Sequence, residues 1–261
     1  MPEPFPAGMD QVPSRSPYPG AVFFLLLFFL LSILGGGVAG SLIRDPLGLL
    51  MLSYLFIGAG AVVLLSWLGW WARAGFSSLG RRQDLLLYLL PAAVALVSLT
   101  EGVSAAGWHE VAMFAIFSLI VAWTEEAFFR GLILQTLLPA GTRIAVVVSA
   151  VLFGLPHVLN AFGGLWDPLF AIANTVAAFG IGITLAALVV RTGTIWPPIL
   201  IHALVNFTAL LSLGSLVVPV QTPLQLALTI SAGVVLAAYG MFLIRGTGAP
   251  GGVKEGRERR M

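Results

Sequence analysis

The stretch Met113–Leu138, MFAIFSLIVAWTEEAFFRGLILQTLL, decides how the chain is read. Most of it is aliphatic or aromatic, and it is longer than the roughly 20 mainly apolar residues that cross a bilayer as a helix. Yet Glu125, Glu126 and Arg130 stand in its middle. A charged side chain at mid-membrane costs about 2.5–3.5 kcal/mol on insertion scales, so it needs a partner and by default marks a site. Residues four apart share a helix face, so Glu126 and Arg130 can pair along the helix. Glu125 lies about 100° round from Glu126 and cannot share that pairing as easily. Two readings follow: a structural polar cluster between helices, or one carboxylate held by arginine and one left to do chemistry.

The rest of the chain has the same character. Of its 261 residues, 59% are hydrophobic and only 9% are charged, against roughly 25% charged in soluble domains. This composition predicts an all-α, polytopic integral membrane bundle. Eight apolar runs are long enough or nearly so: Ala21–Gly40, Leu47–Trp71, a short Leu85–Leu99, a long Val111–Leu138, Ile144–Phe162, Pro168–Val190, Ile195–Leu213 and Leu224–Ile244. Polar or Gly/Pro-marked breaks separate them, and no repeat is seen. The expected organisation is a polar segment over 1–20, one helical domain over 21–245 with its motifs between 111 and 213, and a charged, flexible tail over 246–261. Val38–Ser41 has the small residues of a signal-cleavage site, but a retained first helix fits the charge count better.

That count sets the orientation, because cytoplasmic loops keep Lys and Arg. With the N-terminus inside, Arg15, Arg73, Arg81, Arg82, Arg143, Arg191, Arg245, Lys254, Arg257, Arg259 and Arg260 all fall inside, eleven of the thirteen basic residues. Arg44 alone falls outside, and Arg130 is within a span. Both ends are therefore expected in the cytoplasm. A formal net charge of +2 gives no support to nucleic-acid binding, and the absence of cysteine removes disulfides, thiolate nucleophiles and Cys-bound metals.

The remaining polar residues narrow the chemistry. Of three histidines, His109 sits in a loop beside Glu110 and reads as surface. His157 lies in the fifth run, four residues after Phe153, whose ring can wall its imidazole. His202 lies in the seventh, four residues before Asn206 and on the same face. Asn160 and Asn174 have weaker claims, which interhelical hydrogen bonding would explain. At 1.5 Å per residue, Glu125 and His157 each lie about 20 Å from the inner surface, whereas His202 lies only about 10 Å deep. His202 matches the other two only if its helix starts below the surface, which Pro197-Pro198 makes plausible.

A carboxylate and two imidazoles suffice for hydrolysis. The carboxylate can take a proton from water. An imidazole can orient that water, or bind a divalent metal such as zinc together with the glutamate. A His and Asn pair can donate to a developing oxyanion. Neither HExxH nor GxSxG occurs, so water is the expected nucleophile.

Glu125-Glu126-Ala127-Phe128-Phe129-Arg130, then Phe153-Gly154-Leu155-Pro156-His157, then His202-Ala203-Leu204-Val205-Asn206, each on its own helix, resembles the EExxxR, FxxxH and HxxxN/D signature of the CAAX-protease and bacteriocin-processing (Abi) family of intramembrane endopeptidases. Eight helices suit the type II CAAX prenyl endopeptidases of that family. The resemblance covers about residues 111–213. It implies Glu125 as general base, His157 as its partner on the water, and His202 and Asn206 as oxyanion stabilisers. Glu126, Arg130 and Phe153 are implied as supporting residues. It leaves metal open, with Glu125, His157 and His202 as the donors zinc would use, and implies no other cofactor. Pro156, directly before His157, departs from the pattern and bears on where that imidazole sits. The implied partner is a membrane-associated protein or peptide, entering from the inner face of a prokaryotic inner or plasma membrane; a CAAX substrate would be prenylated near its C-terminus. Two other classes compete: a proton-coupled transporter or channel built on the buried charges, and a non-catalytic scaffold or immunity protein packing through small-residue faces such as Gly36-x-x-x-Gly40.

Overall fold

A computed structural model describes residues 16–104, 107–159, 162, 166–214, 216 and 222–246. Most of the polar segment over 1–20, nearly all of the tail over 246–261, and Asn160 lie outside these residues. Among the described residues there is no strand, and eight helices are long and apolar enough to cross a membrane. They are α1 (Tyr18–Leu42), α2 (Pro46–Leu68), α3 (Arg82–Thr100), α4 (Trp108–Ala140), α5 (Thr142–Leu159), α6 (Pro168–Thr192), α7 (Trp196–Leu213) and α8 (Pro223–Leu243). Each corresponds to one of the eight apolar runs.

Local chemistry explains where several of them start. Asp45 accepts from Gly48 N and is followed by Pro46. Asp167 accepts from Leu169 N and Phe170 N and is followed by Pro168. Thr222 and Gln225 exchange capping bonds around Pro223. A polar N-cap satisfies the free N–H groups of the first turn, and proline at N1 lacks the N–H that would be orphaned anyway.

α4 is the post around which the bundle is built. Every residue from Thr124 to Gln135 is buried, whereas α1, α2 and α8 turn large apolar residues such as Ile33, Val63 and Phe242 outward, as lipid-facing helices do. Phe28 of α1 packs its ring against Phe128 and Phe129 at 5.3 and 5.2 Å. α6 is the second buried helix, and its closest neighbour is α8. A Cβ on Gly240 would lie 2.8 Å from Thr184 Cα, and a Cβ on Gly233 2.7 Å from Ala177 Cα, so only glycine permits this approach. The Gly36–Gly40 pair is not such a surface: a Cβ on Gly36 meets nothing within 4 Å, and one on Gly40 meets only a leucine methyl at 3.9 Å. Among the described residues of the chain, no helix packs closely on that pair.

The connection from α2 to α3 folds back over the start of α7. Trp196 Nε1 donates to Phe76 O, Thr194 Oγ1 to Ser78 O, and Ile195 N to Gly75 O. Gly75 has φ 87°, and a Cβ there would sit 3.0 Å from Ile195 N, so glycine is needed on both counts. Thr194 and Ile195 are consequently buried, and α7 begins beneath a lid of chain rather than at the surface. The shallow depth expected for His202 is corrected by contact: its Nδ1 lies 2.8 Å from Glu126 Oε1, so it stands level with the carboxylates, and the covered Ile195 is a poor origin for a depth count.

Candidate active site

The α-helix that carries Glu125 and Glu126 ends at Glu126, and residues Ala127–Ile133 continue as a π-helix before α-helical geometry resumes at Leu134. The wider turn disturbs the usual ladder, and side chains use the carbonyls it exposes: Ser149 Oγ donates to Phe129 O at 3.1 Å and Gln135 Nε2 to Arg130 O at 3.2 Å. Single π turns inside α-helices occur often at functional sites.

Three charged groups are thus carried into the bundle's interior. Glu126 and Arg130 are fully buried and Glu125 is 7% exposed. Arg130 Nη1 lies 3.0 Å from Glu126 Oε1, the pairing that the four-residue spacing implies, although off the direction of a hydrogen bond. Arg130 Nη2 reaches Gly182 O on α6 at 3.4 Å, and the guanidinium lies 4.3 Å from the centre of the Phe153 ring, a cation–π contact in a dry setting.

His202, 4% exposed, lies between the two carboxylates. Its Nδ1 is 2.8 Å from Glu126 Oε1, and its Nε2 is 3.6 Å from Glu125 Oε2. An ionised Glu126 can only accept, so Nδ1 carries the proton of that bond. The remaining oxygen of Glu125 accepts from Tyr54 of α2, Oη to Oε1 at 2.9 Å.

Phe153 organises the other side. Its ring meets His202 edge-on at 5.6 Å, His157 at 5.3 Å and Phe129 at 5.1 Å. Both imidazoles therefore pack on one phenyl ring. His157 is half-buried, and its Nδ1 lies 3.1 Å from Phe153 O, one turn back on α5. It lies within charge–charge range of Glu125, His202 and Arg130, but no hydrogen bond joins it to them. Pro156 is accommodated inside α5 just before it. Asn206 is half-buried one turn beyond His202 and makes no hydrogen bond among the described residues. His109 is exposed, and Asn174 is half-buried on α6.

Glu125, Glu126, Arg130, Phe153 and His202 are brought into contact from α4, α5 and α7, with His157 adjoining through Phe153. Residues 107–208 match the model of one family, described as Rce1-like: type II CAAX prenyl endopeptidase Rce1-like. Over these residues the chain is similar to the Rce1-like family. No curated protein and no solved structure matches the chain. The Rce1-like region opens one residue before α4 and closes two residues beyond Asn206, so it contains every residue of the cluster except Tyr54. It associates the chain with CAAX-type intramembrane proteolysis in general, and with a membrane-associated protein as substrate. Nothing in the match speaks for the bacteriocin-processing side of the resemblance.

The donor set that zinc would use, Glu125, His157 and His202, is not gathered around one point: among the described residues no three His, Asp or Glu side chains form a metal-sized group. His202 Nδ1 is committed to Glu126 and His157 Nδ1 faces its own helix. The side chains as placed do not fit a three-ligand site.

Tyr54 lies outside the three motifs. It sits in an apolar run where an aromatic ring reads as packing. Its one signal is general: a buried phenol hydroxyl needs a partner, and within a membrane span that partner is a polar residue of another helix. Thr124 reinforces the junction by donating to Tyr54 O at 3.3 Å.

Proposed function

We propose that the chain is an endopeptidase that hydrolyses a peptide bond in a membrane-associated protein or peptide, with Glu125 as the base that activates water. The observation that carries the proposal is the division of labour between the carboxylates. Glu126 is tied to Arg130 and His202, whereas among the described residues Glu125 Oε2 has His202 Nε2, at 3.6 Å, as its one ion-pair contact. That separation is too long for a good direct hydrogen bond but suits a shared water beside both atoms.

In this mechanism Tyr54 fixes Glu125 by holding Oε1, leaving Oε2 to accept the water proton. His157, which packs on Phe153 beside them, orients the same water. The hydroxide attacks the scissile carbonyl carbon, and Asn206, with an uncommitted amide, donates to the oxygen as it becomes negative. His202 assists from Nε2 when its ring carries both protons. The proton held on Glu125 then passes to the leaving nitrogen. Glu126 and Arg130 act through His202 by fixing its ring. Both termini face the cytoplasm, and substrate enters from that side of a plasma membrane.

The test uses purified protein in a neutral detergent, a peptide ending in a farnesylated CAAX sequence, and the same peptide without the lipid. Mass spectrometry should find the released C-terminal tripeptide, faster from the farnesylated form. Release of no fragment from either peptide, or from a panel of membrane-protein C-termini, would remove the proposal.

A further inference from the structure

Where α3 begins and α6 ends, an open concavity of about 470 Å³ is lined by Arg81, Gln83, Asp84, Leu87, Val190 and Arg191. It shares no residue with the carboxylate cluster. Its polar groups are held by their neighbours. Buried Asp84 takes Arg81 in a fork, Nε to Oδ2 at 3.1 Å and Nη2 to Oδ1 at 3.3 Å. The Gln83 amide, turned with its oxygen toward Arg81, accepts from Nη1 at 3.0 Å, Nε at 3.2 Å and Nη2 at 3.3 Å. Arg191 Nη1 donates at 3.1 Å to Leu243 O, at the end of α8. Tyr239 Oη donates to Leu87 O, which fastens α8 to α3 at the same corner.

After these bonds, Arg191 keeps Nε and Nη2 for a ligand, and Arg81 keeps a second hydrogen on Nη1. The lining carries two guanidiniums and one carboxylate, a net single positive charge. Planar guanidinium donors match phosphate oxygens. The polar groups lie at the ends of two spans, and Leu87, one turn beyond Gln83, continues the wall toward the membrane. Beside it on α3, Leu85, Leu86 and Leu89 are 60%, 73% and 62% exposed. The concavity thus opens next to the face that α3 turns to lipid.

We propose that this concavity binds a phosphoryl group, and that the group belongs to the headgroup of an anionic phospholipid. A free phosphate ion would use the donors but has no use for the apolar wall. A phospholipid uses both, with its phosphate between Arg81 and Arg191 and its chains along Leu87 and the exposed leucines. Basic pockets between helices at a membrane surface favour such headgroups, and each arginine near the surface contributes about fivefold in affinity.

The test is thermal unfolding of the full chain in a neutral detergent, titrated with phosphatidylglycerol, phosphatidylcholine or inorganic phosphate. Phosphatidylglycerol should raise the unfolding temperature and phosphatidylcholine should not. Arg81→Gln should weaken the apparent affinity about fivefold, and Arg81→Gln with Arg191→Gln about twenty-fivefold. Arg143→Gln, which removes a basic residue outside the concavity, should leave it unchanged. Arg191 also holds α8, so a double variant that does not fold is replaced by Arg81→Gln alone, read by counting bound lipids in native mass spectrometry. Equal responses of wild type and Arg81→Gln to phosphatidylglycerol would overturn the proposal. A rise reproduced by inorganic phosphate alone would overturn the lipid assignment and make the ligand a soluble phosphoryl group.

Discussion

Arg130 and Glu126 have no water to fall back on, so each depends on the other. Removing one partner of a buried pair strands the remaining charge at about 3–5 kcal/mol. Arg130→Met should therefore lower stability by that order, read by denaturant or thermal unfolding in detergent; a change below about 1 kcal/mol would contradict the assigned pairing. Tyr54→Phe should behave differently. It deletes one hydrogen bond to a carboxylate, worth about 1.5–3 kcal/mol, and the phenyl ring still packs on Phe117, which it meets at 6.2 Å. Cleavage should fall about tenfold or more while the fold persists, and activity equal to wild type would show that Glu125 needs no such support. The sequence makes the charged residues conspicuous because charge is rare in an apolar run. It hides Tyr54, since nothing local separates a phenol that packs from one that holds a carboxylate.

Helix existence is legible from apolar runs, and helix starts from Asp45-Pro46, Asp167-Pro168 and Thr222-Pro223. Two features at this scale are not. The π turn over Ala127–Ile133 has no local marker, because it answers to Ser149 and Gln135 rather than to propensity. The glycines at the α6–α8 crossing look no different in sequence from Gly36 and Gly40; only the neighbouring backbone distinguishes them. Gly233→Val should push Val176 and Ala177 away and lower the unfolding temperature sharply, whereas Gly36→Val should change it little. Similar shifts for the two variants would refute the packing description. The buried start of α7 was partly hinted at by Pro197-Pro198, but the covering chain from α2 to α3 is a long-range contact that periodicity cannot report.

The whole chain has no cysteine, so any introduced one is the only target for a thiol reagent. With both termini inside, Ser16→Cys should resist a membrane-impermeant maleimide in intact cells, and Ser41→Cys, in the last turn of α1, should react. Both positions are exposed, so the reverse pattern would invert the proposed topology. The bundle and its eight spans follow from hydrophobicity alone, but the meeting of α2, α4, α5 and α7 at one cluster does not. Three short motifs suggest that gathering, and packing around α4 supplies it. The cluster's central claim is that Glu125, and not its neighbour, does the chemistry. The direct measurement is kcat/KM for wild type and Glu125→Gln on the same peptide, with unfolding temperatures recorded alongside. Loss of a general base predicts a fall of about 10²–10⁴-fold with the fold intact; a folded Glu125→Gln protein that cleaves as fast as wild type would contradict it.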